Sequence, residues 1–464
     1  MVKLVQKNLF YGSLMDMLDS NDPLVVLANT IKWSKFENEF AKYYFKDGRP
    51  AKPIRLMVGL LLLKQLENLS DENVVLQWKR NPYFQYFCGF SDFQTALPCH
   101  STDLVYFRNR IGEEGFKFIF KHSIELHSDE DLNETEVIAD TTVQESNLTY
   151  PTDGKLAIKI INHLHKIAKL ENIKLRRSYL KEIKQHRINL RFFRHPKKIT
   201  KAKGSMKRLR TIAKTLLRDI DRKFGDNLEL HNKYATKFYL YMRVLLQEKN
   251  TKNKIYSLHE TDAYAVNKGK DHKGYEYGTK ASIVTTKDSG IIVGVAAHKE
   301  NGHDSKTLEL ALENTIANLG SKTITEAICD RGYRGVKQII INDETIIDIS
   351  IPSNQNKRDT EEQINIKKEK FKRRASIEPI IGHLKSDHRM QRNYLKGFLG
   401  DQINLLLAAT AFNLKKWMRI YFYGLFTRNL SLLREAYQQL QYQKEQIILL
   451  LQLKITMKFS NLDY

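Results

Sequence analysis

The chain has 464 residues, a formal net charge of +23 and a hydrophobic fraction of 42%. That length allows two or three domains with sizeable cores, and the hydrophobic fraction is that of a water-soluble globular protein. The positive excess points to a polyanionic partner, nucleic acid before an anionic membrane; the longest apolar run, residues 58–63, is far short of the ~20 residues a membrane span needs.

Residues 1–128 read as helical. Leu56, Leu60, Leu63 and Leu66 recur at helical spacing, and Ser70 is placed to cap a second helix reaching about Lys79, before Asn81-Pro82. A third helix is expected from about His100 through Arg110. Short helices with tight turns fit a helix-turn-helix-like DNA-binding module or a plain bundle, and the pattern leaves both open. The aromatic cluster Tyr83-Phe84, Tyr86-Phe87 reads as core. Cys88, Cys99 and Cys329 form no CxxC pair and read as buried or incidental thiols of a reducing cytoplasm. The amino terminus shows no apolar leader core.

Near residue 135 the pattern becomes strand-like: Glu136 to Val143 is β-rich, with Asp140 expected to close the strand. A turn at 150–154 follows, with Asp153 as the expected helix cap. Residues 155–250 then read as basic amphipathic helices. Ile158, Ile161, Leu164, Ile167 and Leu170 keep helical spacing beneath the charges. The stretch 153–223 carries roughly 23 Lys and Arg against about 5 Asp and Glu. Such charge repels itself unless phosphates neutralise it.

Strands return at about 255. Residues 275–284 and 291–296 flank an Asp-Ser-Gly turn and predict a hairpin. A helix is expected from about Asp304 to Leu319, with Asp304 read as its cap. Strands at 327–330 and 346–351 are separated by an expected helix at 334–341, and a polar linker at 361–370 precedes further helices to about 419. The order predicts an α/β fold with a mixed sheet. Residues 421–464 read as a helical tail with no identifiable chemistry.

Asp140 and Asp330 each stand where a short apolar strand gives way to a polar or glycine-containing turn, where functional groups gather in α/β sheets. Phe371, Arg374, Glu378 and Lys385 are spaced to return to one helix face, with Arg389 and Arg392 extending the stripe. Pro379 suits only a first helical turn, so Ser376 is the expected N-cap and Glu378 belongs to that first turn.

These residues resemble the DDE transposases of bacterial insertion sequences. The family's signature is Tyr, two residues, Arg, three residues, Glu, six residues, Lys. Arg374, Glu378 and Lys385 keep that spacing, and Phe371 stands where the family has Tyr. The stretches 377–385, 392–397, 330–333, 140–143 and 81–87 are similar to the insertion-sequence-five branch of the insertion-sequence-four-like superfamily. The resemblance covers roughly residues 30 to 418. It implies a ribonuclease-H-like catalytic core of 129–153 plus 251–420, interrupted by a basic insertion at 154–250, behind an amino-terminal DNA-binding domain of 1–128.

The resemblance also implies the chemistry. Asp140, Asp330 and Glu378 would be catalytic and would hold two Mg²⁺ ions, Asp140 bridging them, with Mn²⁺ as a possible substitute. Hard cations prefer carboxylate oxygen, and paired metals serve both oxygens of an in-line displacement. Arg374, Lys385, Arg389 and Arg392 would contact DNA. The implied partners are double-stranded DNA, as transposon ends and target, and a second copy of the chain; no membrane is involved, and the place is the cytoplasm, at the nucleoid. The alternatives are a stand-alone metal-dependent nuclease on the same fold or a catalytically decayed DNA-binding protein.

Overall fold

The computed structural model describes residues 13–44, 51–248, 250–267, 274–320, 322–342, 345–352 and 360–424. They form two compact units. One holds the described residues up to 110 with 125–127 and those from 410; the other holds 111–124 and 128–409. Among the described residues no helix is long and apolar enough to cross a membrane.

The first unit is helical: α1 (Leu14–Met17), α2 (Pro23–Thr30), α3 (Trp33–Ala41), α4 (Ile54–Leu66), α5 (Asp71–Arg80), α6 (Pro82–Phe87) and the start of α7 (Ser101–Ile124). In α4 the expected stripe, Leu56, Leu60, Leu63 and Leu66, is buried, and so are Met57, Val58, Leu61 and Leu62, making it a central helix buried nearly all round. Ser70 caps α5, its hydroxyl accepting from the Asn73 N–H at 3.1 Å. Asn81 caps α6, and Pro82 occupies the first helical position, where its missing N–H costs nothing. Phe84 and Phe87 are core residues, Phe87 meeting Trp33 edge-on at 5.2 Å, in keeping with the core reading of that cluster. All three cysteines are free and buried.

The second unit is built on an eight-stranded mixed sheet. After α8 (Asp129–Leu132) come β1 (Glu136–Ser146), the helices α9 (Asp153–Leu170), α10 (Leu180–Asn189), α11 (Ile199–Phe224) and α12 (Leu228–Leu246), then β2 (Tyr264–Asn267), β3 (Tyr275–Thr286), β4 (Ile292–His298), α13 (Asp304–Leu319), β5 (Glu326–Ile328), β6 (Gln338–Ile341), β7 (Thr345–Ser350), α14 (Glu361–Arg374), α15 (Ile377–Ser386) and β8 (Arg392–Asn393). A last helix, α16, begins at 397 and continues to 424. The sheet order is β2-β3-β1-β5-β7-β6, with β4 also on β3 and β8 also on β1. β1, β3 and β4 run antiparallel in turn, while β5 and β7 run parallel to β1. The β3–β4 pair is the expected hairpin, turned at Gly290 (φ 63°), and its strands are buried on both faces, β4 with a near-continuous apolar sequence and β3 with Thr279, Lys280, Ser282, Thr285 and Thr286 among its buried residues.

The insertion between β1 and β2 has its own core, in which Ile160, Ile161 and Leu164 of α9 meet Leu209, Ile212, Leu216 and Ile220 of α11. Leu170, expected beneath the charges, is instead exposed at the end of α9. The cap of α9 is Thr152 and not Asp153: the Thr152 hydroxyl accepts from the Lys155 N–H, and Asp153 is the first helical residue.

Four further expectations are corrected. Asp140 does not end a strand: β1 runs on to Ser146, because β3 offers it partners along its whole length, Asp140 facing Ile283 and Glu145 facing Gly278. Residues 334–341 are not a helix; a 3-10 turn over Arg331–Tyr333 leads into β6, whose Ile-rich run pairs with β7. Residues 361–370 are not a linker. Thr360 and Gln363 form a capping box that starts α14, and Lys370 ties that helix to Glu136 of β1 at 3.1 Å. The single cationic stripe is divided between two helices: α14 ends at Arg374 and α15 begins at Ile377. Arg389 (φ 62°) and Arg392, in β8, lie beyond both. Of the expected tail, 421–424 continue α16, and the rest lies outside the described residues.

Candidate active site

Three elements distant in sequence deliver charged groups to one place. Asp140 sits within β1, its Oδ1 accepting the Thr141 N–H at 2.7 Å. Its Oδ2 accepts from Nη2 of Arg374, the last residue of α14, at 3.1 Å. Nη1 of the same guanidinium lies 3.9 Å from Oε1 of Glu378. The helix break between α14 and α15 makes this possible. Ser376 precedes α15 but makes no side-chain cap; the Glu378 N–H bonds instead to the Ala375 carbonyl at 3.2 Å. Glu378 is thus in the first turn, as expected, with its side chain 65% exposed, whereas Asp140 and Arg374 are mostly buried. The Nε of Arg374 is buried without a hydrogen-bond partner.

Asp330 follows β5 and opens the 3-10 turn, accepting the Gly332 N–H at 2.7 Å. A side chain at Gly332 would displace carboxylates: a Cβ there would come within 2.8 Å of Asp330 Oδ1 and 3.0 Å of Asp304 Oδ2. The two carboxylates therefore crowd the same backbone position. Asp304 is not the cap of α13, which is His303; it is the first helical residue, and its side chain leaves the helix. Asp304 Oδ1 accepts from Thr141 Oγ1 at 3.0 Å and from Lys280 Nζ at 2.9 Å. Asp304 is thus linked to the residue beside Asp140 and borders Asp330.

Beneath these groups lies Tyr333, fully buried, its hydroxyl without a hydrogen-bond partner. Burial first, with the negative charges of Asp140 and Asp304 adding, raises its pKa well above the usual phenol value. It therefore stays protonated. Burial, together with Asp330 and Asp140, likewise raises the Cys329 thiol, so the thiolate needed for nucleophilic attack does not form at neutral pH.

Asp140 and Glu378 are thus brought to one cation, and Asp330 is brought beside Asp304. Among the described residues, no three His, Cys, Asp or Glu side chains converge closely enough to hold a metal ion together. Lys385 is in the last turn of α15. Arg389 stacks on the Tyr394 ring at 5.5 Å, and Arg392 is exposed, paired in β8 against Glu145. Phe371 is half-buried in α14. The sequence reading missed the roles of Asp304, Thr141, Lys280 and Tyr333. Thr141 and Tyr333 lay within the family-like stretches 140–143 and 330–333 without a role of their own, and Asp304, an acidic residue opening a helix, gave a signal shared with ordinary capping.

Two family profiles match the chain. One, described as "Transposase domain (DUF772)", covers residues 12–110, and the other, described as "Transposase DDE domain", covers 251–414. A protein of Rhizobium meliloti described as "Uncharacterized protein ORF8 in nfe locus" is 38% identical over 194 residues, spanning 41% of this chain and 94% of that protein. No solved structure matches the chain.

Proposed function

We infer the reaction from a premise that the two family matches supply: the chain belongs to the DDE transposases of insertion sequences. Its function is therefore transposition, an enzymatic action on DNA, and the family's chemistry generally depends on a divalent metal. We propose that the chain cuts the ends of its element by phosphodiester hydrolysis and joins the freed 3′-hydroxyl to target DNA. The observation that carries this reading is the meeting of Asp140, Arg374 and Glu378, drawn from residues 140 to 378, around one guanidinium. The strand order, three antiparallel strands continued by two parallel to β1, supports a ribonuclease-H-like core.

The residues suit a hard divalent cation. The donors are all carboxylate oxygens, and a cationic group already lies between Asp140 and Glu378. Asp140, Glu378 and Asp330 would hold Mg²⁺, or Mn²⁺ in its place. When bound, the metal supplies Lewis-acid polarisation of the phosphoryl oxygens and a more acidic water. The chain's own groups do the rest. Arg374 offsets charge on the reacting phosphate, and Gly332, lacking a side chain, lets the Asp330 and Asp304 carboxylates sit against the backbone. Lys385, Arg389 and Arg392 contact neighbouring phosphates. In the first step water oxygen bonds to phosphorus and the bond to the element's 3′-oxygen breaks, leaving a 3′-hydroxyl. In the second, that hydroxyl attacks a target phosphodiester and displaces its 3′-oxygen. No covalent enzyme intermediate is needed.

Residues 1–128 are assigned to recognition of transposon ends, 129–153 with 251–420 to catalysis, and 154–250 to sequence-independent affinity. Work on two ends calls for a homodimer on DNA. The stretches 377–385 and 392–397 support the insertion-sequence-five branch. The test is incubation of the full chain with Mg²⁺ and labelled DNA from the borders of its own gene, beside Asp140→Asn. Cleavage at the ends and joined products are expected from the native chain alone. Cleavage without joined products would make it a nuclease, and equal cleavage by the variant would remove Asp140 from the mechanism.

A further inference from the structure

In the insertion, α11 and the 171–179 turn before α10 enclose a cleft of about 560 Å³, lined by Arg176, Arg177, Tyr179, Arg218, Asp219 and Arg222 among others. We infer that this cleft seats backbone phosphates of duplex DNA, and is the specific place where the basic insertion grips it. The inference rests on the transposase reading and locates one of its contacts.

The cleft is organised around one buried carboxylate. Asp219, 6% exposed, accepts the Arg176 N–H at 3.2 Å and pairs with Arg222 at 2.9 Å, Lys223 at 3.5 Å and the Arg176 side chain at 3.6 Å. One negative charge thus holds three cations in place without neutralising them. The Arg176 and Arg222 side chains remain 71% and 58% exposed, so most of their N–H donors face water. Arg218 is exposed one turn from Arg222, and like charges at that spacing repel. An anion in the cleft reverses the sign of that interaction.

The rim is set by Tyr179, which adopts a left-handed backbone (φ 58°), a conformation costly for a residue with a side chain. That geometry puts its ring beneath Arg177, 4.8 Å from the guanidinium carbon, with Arg208 at 6.0 Å on the same ring. Glu182 holds both from the side, taking Arg177 Nη2 at 3.3 Å and Arg208 Nε at 2.6 Å, while the Arg177 side chain stays 64% exposed and keeps its other in-plane donors for phosphate. An ordinary solvated basic face needs neither a buried carboxylate anchor nor a strained aromatic rim. The cleft has room for a phosphodiester with its sugar, which favours the DNA backbone over a free phosphate.

The test measures binding of the full chain to random-sequence duplex DNA against salt concentration. Arg176→Gln/Arg218→Gln/Arg222→Gln is compared with a control of equal charge change elsewhere in the insertion, Lys197→Gln/Lys201→Gln/Lys203→Gln. Each lost phosphate contact lowers the slope of log K against log salt by about 0.9. The cleft variant should lose about 2 to 3 of that slope and bind at least tenfold more weakly at low salt, and the control should change little. Because Arg176 and Arg222 also anchor Asp219, a second variant, Arg177→Gln/Arg218→Gln, leaves that anchor intact and should lose about 1 to 2.

Equal losses in cleft and control variants would mean diffuse charge and overturn the cleft. Native-like binding by both cleft variants would overturn it while leaving the transposase reading standing. Failure of the native chain to bind any DNA would defeat both. Displacement of the DNA by inorganic phosphate, beyond that caused by chloride at equal ionic strength, would make the cleft a small-anion site instead.

Discussion

Asp140 and Arg374 lie 234 positions apart in the chain and meet at 3.1 Å, which ties the chemistry to folding. Asp140→Asn keeps the shape and removes the charge. End cleavage should fall by at least about 10²–10³-fold, the scale of losing one preorganised electrostatic group, as read from single-turnover rates. Asp304 provides a different test, because its partner Lys280 is nearly buried. Asp304→Asn leaves that ammonium without its counter-charge and should cost about 1–3 kcal/mol in urea unfolding. Pairing it with Lys280→Met should restore stability. If cleavage recovers along with stability, Asp304 only holds the fold; if cleavage stays low, Asp304 positions the reacting groups.

Asp401 supplies a pH test. Burial first, with the Glu260 charge adding, pushes its carboxyl up to about 6 against hydrogen bonds from Thr279, Asn393 and Gln144. The folded chain therefore keeps a proton that the unfolded chain, titrating near 3.8, has already released. The stability from that proton is full below the unfolded value and is lost as pH rises through about 6, amounting to about 3 kcal/mol at most. Relative to the native chain, Asp401→Asn should gain stability as pH rises from 4 to 7. A constant difference across that range would show that Asp401 does not titrate there.

At the scale of elements, the site depends on where α13 begins, at Asp304, and where α14 ends, at Arg374. α13 rests on β4 so closely that a Cβ on Gly294 would come 1.9 Å from Thr315 Oγ1 and 2.9 Å from the Ala311 carbonyl. Gly294→Ala should push the helix outward and carry Asp304 with it. We expect a loss of about 1–3 kcal/mol by calorimetry, together with reduced cleavage. The hairpin, the helical spacing of α4 and the cap at Ser70 were legible because each is set by nearby residues. The errors arose where distant partners decided. β1 runs past Asp140 because β3 pairs with it throughout, and 338–341 becomes a strand because β7 lies alongside. The stretch 361–370 looked like a linker because its exposed helix carries almost no apolar face.

For the whole molecule, metal binding and stability are linked. At Mg²⁺ ten times its dissociation constant, a native-state site adds about 1.4 kcal/mol. Thermal unfolding of the native chain should shift upward accordingly, and that of Asp140→Asn should not; an equal shift in both would place the metal elsewhere. The sequence by itself determined the α/β order, the basic insertion, the resemblance that the family matches bear out, and Asp140, Arg374 and Glu378 as candidates. The order and the insertion follow from composition, period and local spacing, and the candidates from the resemblance of their motifs to the family's, all of which are properties of the chain alone. Only the tertiary structure decided that Arg374 joins Asp140 to Glu378, that Asp304 and Tyr333 border the same site, and that one buried aspartate gathers the arginines of the insertion. Those relations depend on which side chains burial brings within a few ångströms of one another, and spacing along a chain does not encode that distance.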